Sequence, residues 1–183
     1  NPALGDATIS VLLFEYENRD RMQQMFSDLN RFVQKTSKSL DILHDKRDPF
    51  SRLTLEVIKL VDAFDDMADR DAISIGIRSP KLFTLSTMYD ANKELLKFHD
   101  VAGESEEDEE GHHEITAVAV KFWRVVSENM PVWGSVKEQH MRAMELRQDS
   151  LASHATVMRA IGGAGAEMMR EFPNDWEERL SLL

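Results

Sequence analysis

Residues 114–130 read EITAVAVKFWRVVSENM. Ile115, Val118, Phe122, Trp123, Val126 and Met130 recur there at steps of three and four, which puts them on one face of a helix. Pro131 follows and stops it, because proline has no amide to donate and its ring clashes with the preceding turn. Downstream, Trp133 is expected to plug a gap between helices. A further helical region spans about Ser135 to Met169, with a break near Ser150–His154. Trp176 is expected to pack back on the bundle.

The same periodicity runs upstream. Asn18 caps a helix from about Arg19 to Gln34 with a stripe of Met22, Met25, Phe26, Leu29, Phe32 and Val33; Thr36, Ser37 and Ser39 then form a polar break. Asp48-Pro49 opens another helix, with Phe50, Leu53, Val57, Leu60, Val61 and Phe64 inward. Thr84 or Ser86 caps a helix through Met88, Ala91, Leu95, Leu96 and Phe98. Extended structure is expected at Ala7–Phe14, a short apolar run rich in β-branched residues, and in a strand or hairpin arm at Ala72–Ile77. The expected fold is mostly α (α+β): a helical bundle with a short N-terminal strand, the tail of a sheet lying upstream. The chain opens on Asn1 rather than Met, so upstream sequence is expected. Residues 1–183 are expected to form a single domain around one core, with an acidic flexible loop at 104–113.

Charge divides the chain. The net charge is −11, and residues 104–114 hold seven acids and no Lys or Arg. Residues 31–52 go the other way, with six bases (Arg31, Lys35, Lys38, Lys46, Arg47, Arg52) against Asp41, Asp45 and Asp48. An acidic whole argues against a general nucleic-acid binder, so any phosphate contact belongs in that basic segment. Cysteine is absent, which excludes disulfides, thiolate zinc and a Cys nucleophile. No apolar run spans a membrane and no signal peptide is visible; a cytoplasmic protein is expected.

Other candidate sites fail on spacing. Asp65, Asp66, Asp69 and Asp71 suggest calcium, but the sixth and twelfth places of an EF-hand loop hold Arg70 and Gly76. His112, His113 and Glu114 do not form an HExxH pattern and read as a solvated helix start. Gly162, Gly163 and Gly165 follow no strand and precede no lysine, so close helix approach or a helix end explains them better than phosphate binding. A helix-turn-helix over 72–98, with the Thr84 helix as reader, has only Lys81, Lys93 and Lys97 to support it. Spacing reveals no catalytic constellation, cofactor site or metal site.

Three stretches carry a resemblance. Residues 21–49, RMQQMFSDLNRFVQKTSKSLDILHDKRDP, hold a QxMFxDLN run (Gln24, Met25, Phe26, Asp28, Leu29, Asn30). A K-x-S-x-S-L segment from Lys35 to Leu40 and a D-x-R-D-P turn from Asp45 to Pro49 follow. RSPKLFTL at 78–85 and LRQDSLASHATVMRAIGGAG at 146–165 continue in the same order. Together they resemble the DndB family of DNA sulfur modification proteins, within the wider DGQHR-domain group. The DGQHR motif is not in this chain; in such proteins it lies upstream, in a ParB-like part, so the chain is similar to the segment that follows it.

The resemblance implies a regulator in DNA phosphorothioation. It would be a repressor binding promoter DNA of the dnd operon, with other Dnd proteins or a second copy as further partners and no enzymatic activity of its own. On that reading Arg31, Lys35, Lys38, Lys46, Arg47 and Arg52 contact DNA. Thr36, Ser37, Ser39 and the start of the Pro49 helix would add hydrogen bonds to phosphate. The competing reading is structural: Asp41, Asp45 and Asp48 pair with these bases to hold the turn, while Arg147 and His154 are satisfied internal residues. Two other functions stay open. One is a lid or scaffold for an upstream nucleotide-hydrolysing or nuclease domain. The other is an interaction module using exposed Met141, Met144 or Trp176.

Overall fold

Nine helices and one pair of two-residue strands make up the described part of a computed structural model, which covers residues 16, 18–31, 37–99, 101 and 109–181. The chain divides into two compact units, Asn1–Lys35 and Thr36–Leu183. In the first, α1 spans Arg19–Arg31 and Asn18 Oδ1 caps it, accepting from the Arg21 amide at 2.8 Å. Phe26, expected on the buried stripe of α1, is 72% exposed. The expected strand Ala7–Phe14 lies outside the described residues.

In the second unit α2 (Lys38–His44) leads into α3 (Pro49–Leu60), and β1 (Ala68–Asp69) pairs in parallel with β2 (Phe83–Thr84). The helices α4 (Leu85–Leu95), α5 (Glu109–Glu128), α6 (Pro131–Lys137), α7 (Ala143–Asp149), α8 (Ala155–Glu171) and α9 (Trp176–Leu180) follow. Residues 72–77 are irregular rather than a strand. α5 begins at Glu109, so the last five residues of the expected acidic loop are helical. Pro131 ends one helix by opening the next, in the first-turn position where its missing amide costs nothing. The expected break at Ser150–His154 separates α7 from α8.

The core is aromatic at its centre. Phe64 lies 5.4 Å from Phe83, 5.6 Å from Trp123 and 5.6 Å from Trp133 between ring centroids. The pairs with Phe83 and Trp123 are edge to face and the one with Trp133 is tilted; edge-on pairs add about 0.5–1.5 kcal/mol each beyond burial. Both indole N–H groups are satisfied: Trp123 Nε1 donates to Asn92 Oδ1 at 2.8 Å and Trp133 Nε1 to the Ala152 carbonyl at 3.1 Å. Trp176 is buried, its ring 6.3 Å from Phe122, so it belongs to the core and not to an exposed interface.

α4 and α8 run side by side in the same direction. Thr84 and Thr87 share one cavity with His154 and Ala155 at the two starts, while Lys97 pairs with Glu167 at 2.9 Å and Arg170 lies 5.0 Å from the Phe98 ring just past the end of α4; between them Gly162 lies against Ala91 and Leu95. A Cβ at Gly162 would strike the Ala91 carbonyl, and one at Gly165 would strike the Phe122 ring. These glycines serve close approach, and α8 continues through them to Glu171.

Candidate nucleic-acid interface

The basic segment is built around two capped helix starts. Ser37 caps α2, its Oγ accepting from the Leu40 amide at 3.0 Å and donating to the Asp71 carbonyl at 2.7 Å. Ser39 Oγ donates to the Ala72 carbonyl at 3.0 Å and accepts from the Ser86 amide at 3.3 Å. Both serines are buried, so they pin the 71–72 loop to α2 and offer nothing to a phosphate. The polar break expected at these positions is thus the start of α2. Asp48 caps α3, accepting from the Ser51 amide at 3.0 Å and the Ser51 hydroxyl at 2.6 Å. A carboxylate already occupies the positive end of that helix, which removes it as a phosphate site. Asp45 Oδ1 takes the amides of Arg47 at 3.0 Å and Asp48 at 3.2 Å.

The two turn carboxylates are therefore aimed at backbone N–H groups and not at the cations beside them. Lys46 and Arg47 are exposed, and among the described residues their side chains pair with no carboxylate. Lys38 is committed differently: its Nζ meets Asp90 Oδ1 at 2.5 Å and sits 5.5 Å from the Tyr89 ring centroid. Arg52 is half-buried on α3, and its Nε is enclosed without a hydrogen-bond partner among the described residues. The Arg31 side chain and all of Lys35 and Thr36 lie outside the described residues.

Helix packing adds two residues that the basic segment alone does not contain. Phe50 and Tyr89 meet edge to face at 6.3 Å, and Lys93 Nζ lies 5.7 Å from the Phe50 ring and 5.6 Å from the Tyr89 ring. Burial, and then a hydrogen bond to Asp48, push the Tyr89 hydroxyl up to about 12, so it stays neutral. Lys38 and exposed Lys93 thus flank one aromatic pair, with Lys46 and Arg47 on the turn that leads into Phe50. Their sequence separation, about forty residues, hides the grouping from any local reading.

The helix-turn-helix reading does not survive. Residues 72–82 contain no helix, and α4 is an interior element with Leu85, Met88, Ala91, Asn92 and Leu95 buried. Among the described residues no group of acidic and histidine side chains is arranged to hold a metal. His112, expected to be solvated, is 5% exposed. Met141 and Met144 are half-buried and line a groove of about 590 Å³ with Met67 and Val136.

A family model described as DndB, DNA-sulfur modification-associated, matches residues 1–183, the whole chain. The chain belongs to the DndB family. No curated protein and no solved structure matches it. Membership carries a role in DNA sulfur modification, and the mostly α fold agrees with the one expected. No helix among the described residues is long and apolar enough to cross a membrane.

Two of the stretches quoted for the DndB resemblance, 78–85 and 146–165, meet in space. Arg147 on α7 donates from Nη1 to the Lys81 carbonyl, and from Nη2 to the carbonyls of Gly76 at 3.2 Å, Ile77 at 2.8 Å and Ser79 at 3.1 Å. A guanidinium suits this task, since its planar fork of donors reaches several acceptors at once. Burial lowers the Arg147 pKa, and no carboxylate among the described residues pairs with it. Arg147 thus acts as the structural residue expected. His154 does not: it is exposed and precedes α8 as its cap residue.

Proposed function

We propose that this chain serves a DNA-binding transcriptional regulator, a repressor of the dnd operon, and that Lys38, Lys46, Arg47 and Lys93 meet the DNA backbone. The observation that carries this reading is the turn at 45–48. Its aspartates are spent on backbone amides, leaving Lys46 and Arg47 as exposed cations without a carboxylate partner among the described residues, in a chain of net charge −11. Cations of this kind supply affinity and register through phosphates, while base contacts supply sequence choice. The acidic remainder of the chain disfavours other approaches to DNA and so orients the encounter. We leave Arg52 out of the proposed surface, since it is half-buried and its Nε is enclosed.

The test is fluorescence anisotropy of labelled dnd-promoter duplex across a salt series, with scrambled duplex as control. The quadruple variant K38Q/K46Q/R47Q/K93Q is expected to weaken binding to both duplexes. Its slope of log affinity against log salt should become shallower by about 0.9 for each phosphate that is no longer neutralised. Unchanged affinity and slope would show that DNA, if bound, is met elsewhere.

A further inference from the structure

The junction of α6 and α7 borders a groove of about 590 Å³, closed on its other side by Met67, next to β1, and by the 78–80 loop. Met67, Met141 and Met144 line it together with Pro80, Val136 and Ala143. Val136 and Ala143 are buried and the three methionines are half-buried, so thioether chains make up much of its reachable apolar surface. An unbranched, polarizable side chain of this kind reshapes around different apolar partners, and such linings recur at surfaces that bind peptides.

Arg78, Lys137 and Arg142 line the same groove. Lys137 is already paired with Asp62 at 2.5 Å. Arg78 and Arg142 are exposed, and neither guanidinium makes an ion pair among the described residues. The acids near Arg142 are engaged elsewhere: Glu145 Oε2 accepts from the Arg142 amide at 3.1 Å, and Glu138 Oε2 lies 3.3 Å from His140 Nδ1. Two unpaired planar forks beside an apolar lining, in a chain of net charge −11, match a ligand that carries carboxylates, which a guanidinium takes in pairs of parallel hydrogen bonds. The backbone supplies a second and independent observation. Among the described residues Asp66 (φ 61°) and Gln139 (φ 62°) are the non-glycine positions with positive φ. Gln139 lines the groove and Asp66 adjoins Met67. Asp enters the left-handed region readily and Gln seldom, and residues held there gather at ligand clamps.

We infer that this groove docks a partner protein through a short acidic segment, whose apolar side chains lie on the methionines while its carboxylates meet Arg78 and Arg142. The lining holds no aromatic ring on which a base could stack, so a peptide fits it better than a nucleic-acid strand. The groove shares no residue with Lys38, Lys46, Arg47 and Lys93, and its role stands whether or not those residues meet DNA.

The experiment is NMR of the whole chain with carbon-13 at the methionine methyls, following Met67, Met141 and Met144. The probe is a pool of short peptides in which Glu and Asp flank a centre of Leu, Met and Phe. One control pool replaces the acids by Lys, a second replaces the centre by Ser, and a single-stranded oligodeoxynucleotide stands for the nucleic-acid alternative. Saturable shifts of the three methyl signals with the probe, absent with both control pools and with the oligonucleotide, are expected. R78Q/R142Q alters exposed side chains and keeps the fold; it should weaken the probe about tenfold, the loss of two partly solvated ion pairs. Met144→Gln keeps side-chain length and helix propensity and should weaken it about fivefold by removing apolar contact. No saturable shift with the probe, equal shifts with the Lys pool, or affinity unchanged in R78Q/R142Q would overturn the assignment. A stronger response to the oligonucleotide would overturn it too, giving the groove to phosphates.

Discussion

Helices α3 and α5 bury polar groups in two places, and the two are treated in opposite ways. In the middle of the unit, Thr54 on α3 and Trp123 on α5 are joined through Asn92 on α4. Asn92 Nδ2 donates to Thr54 Oγ1 at 3.1 Å, and Asn92 Oδ1 accepts from Trp123 Nε1 at 2.8 Å. All three residues are completely buried. Elsewhere on the same two helices, Arg52 Nε, both ring nitrogens of His112 and Thr116 Oγ1 are enclosed without a hydrogen-bond partner among the described residues. Glu56 Oε1 approaches His112 Nε2 only to 3.7 Å, beyond hydrogen-bond reach. The first place is a directional lock among three helices. The second is a place where burial outran bonding. Polar burial therefore does not have one meaning in this fold; what decides its cost is whether an acceptor stands opposite each donor.

Breaking the lock should have the largest effect. Asn92→Leu keeps the volume but strands the Trp123 indole N–H and the Thr54 hydroxyl in a dry interior. It is expected to cost on the order of 3 kcal/mol in urea unfolding, the sum of two groups left unsatisfied. A loss below about 1 kcal/mol would mean that water reaches the site and the lock is not dry. Thr54→Val is the milder version. It removes one acceptor and leaves one Asn92 N–H unpaired, for an expected loss of about 1–2 kcal/mol by the same measurement. In the double variant the two losses should not add, because once Asn92 is gone Thr54 has nothing to bond.

Much of this lock was illegible in the sequence for a physical reason. Trp123 stood on an apolar stripe of period 3.6 and its burial followed from that spacing alone. Asn92 stood on the stripe of α4 as well, four residues after Met88 and three before Leu95, but as a polar residue among apolar ones. Spacing could place that amide on the buried face but could not name its partners, which only the convergence of α3, α4 and α5 supplies. The same limit applied at the candidate interface. The turn chemistry of Asp45 and Asp48 was visible, and so was the local excess of bases. The commitment of each carboxylate to an amide rather than to Lys46 or Arg47 was not visible, since spacing permits both. Ser37 and Ser39 looked like hydroxyls free for phosphate, and tertiary contact with the 71–72 loop consumed them. Lys93 and Tyr89 joined the basic segment only through packing of α2 and α3 against α4. Periodicity also erred at the rim: Leu60, 47% exposed, and Phe98, 50% exposed, lie at helix ends where the stripe runs out of core. Phe98 keeps company there with Lys97 and Arg170, 4.9 and 5.0 Å from its ring.

The smallest expected effect is the sharpest test of the contrast, because its sign differs. Thr116 is 3% exposed and its Oγ1 has no hydrogen-bond partner among the described residues. Thr116→Val replaces the hydroxyl by a methyl of nearly the same size, so packing is kept and a desolvated polar atom is removed. Both side chains are β-branched, and helix propensity changes little. The expected result is no loss, or a gain of up to about 1 kcal/mol, where the matched change at Thr54 is destabilising. Urea unfolding of the two threonine-to-valine variants side by side reads the difference directly, since hydroxyl, replacement and burial are common to both. If Thr116→Val destabilises as much as Thr54→Val, the Thr116 hydroxyl has an acceptor in solution. The two places on α3 and α5 would then be two locks rather than a lock and a gap.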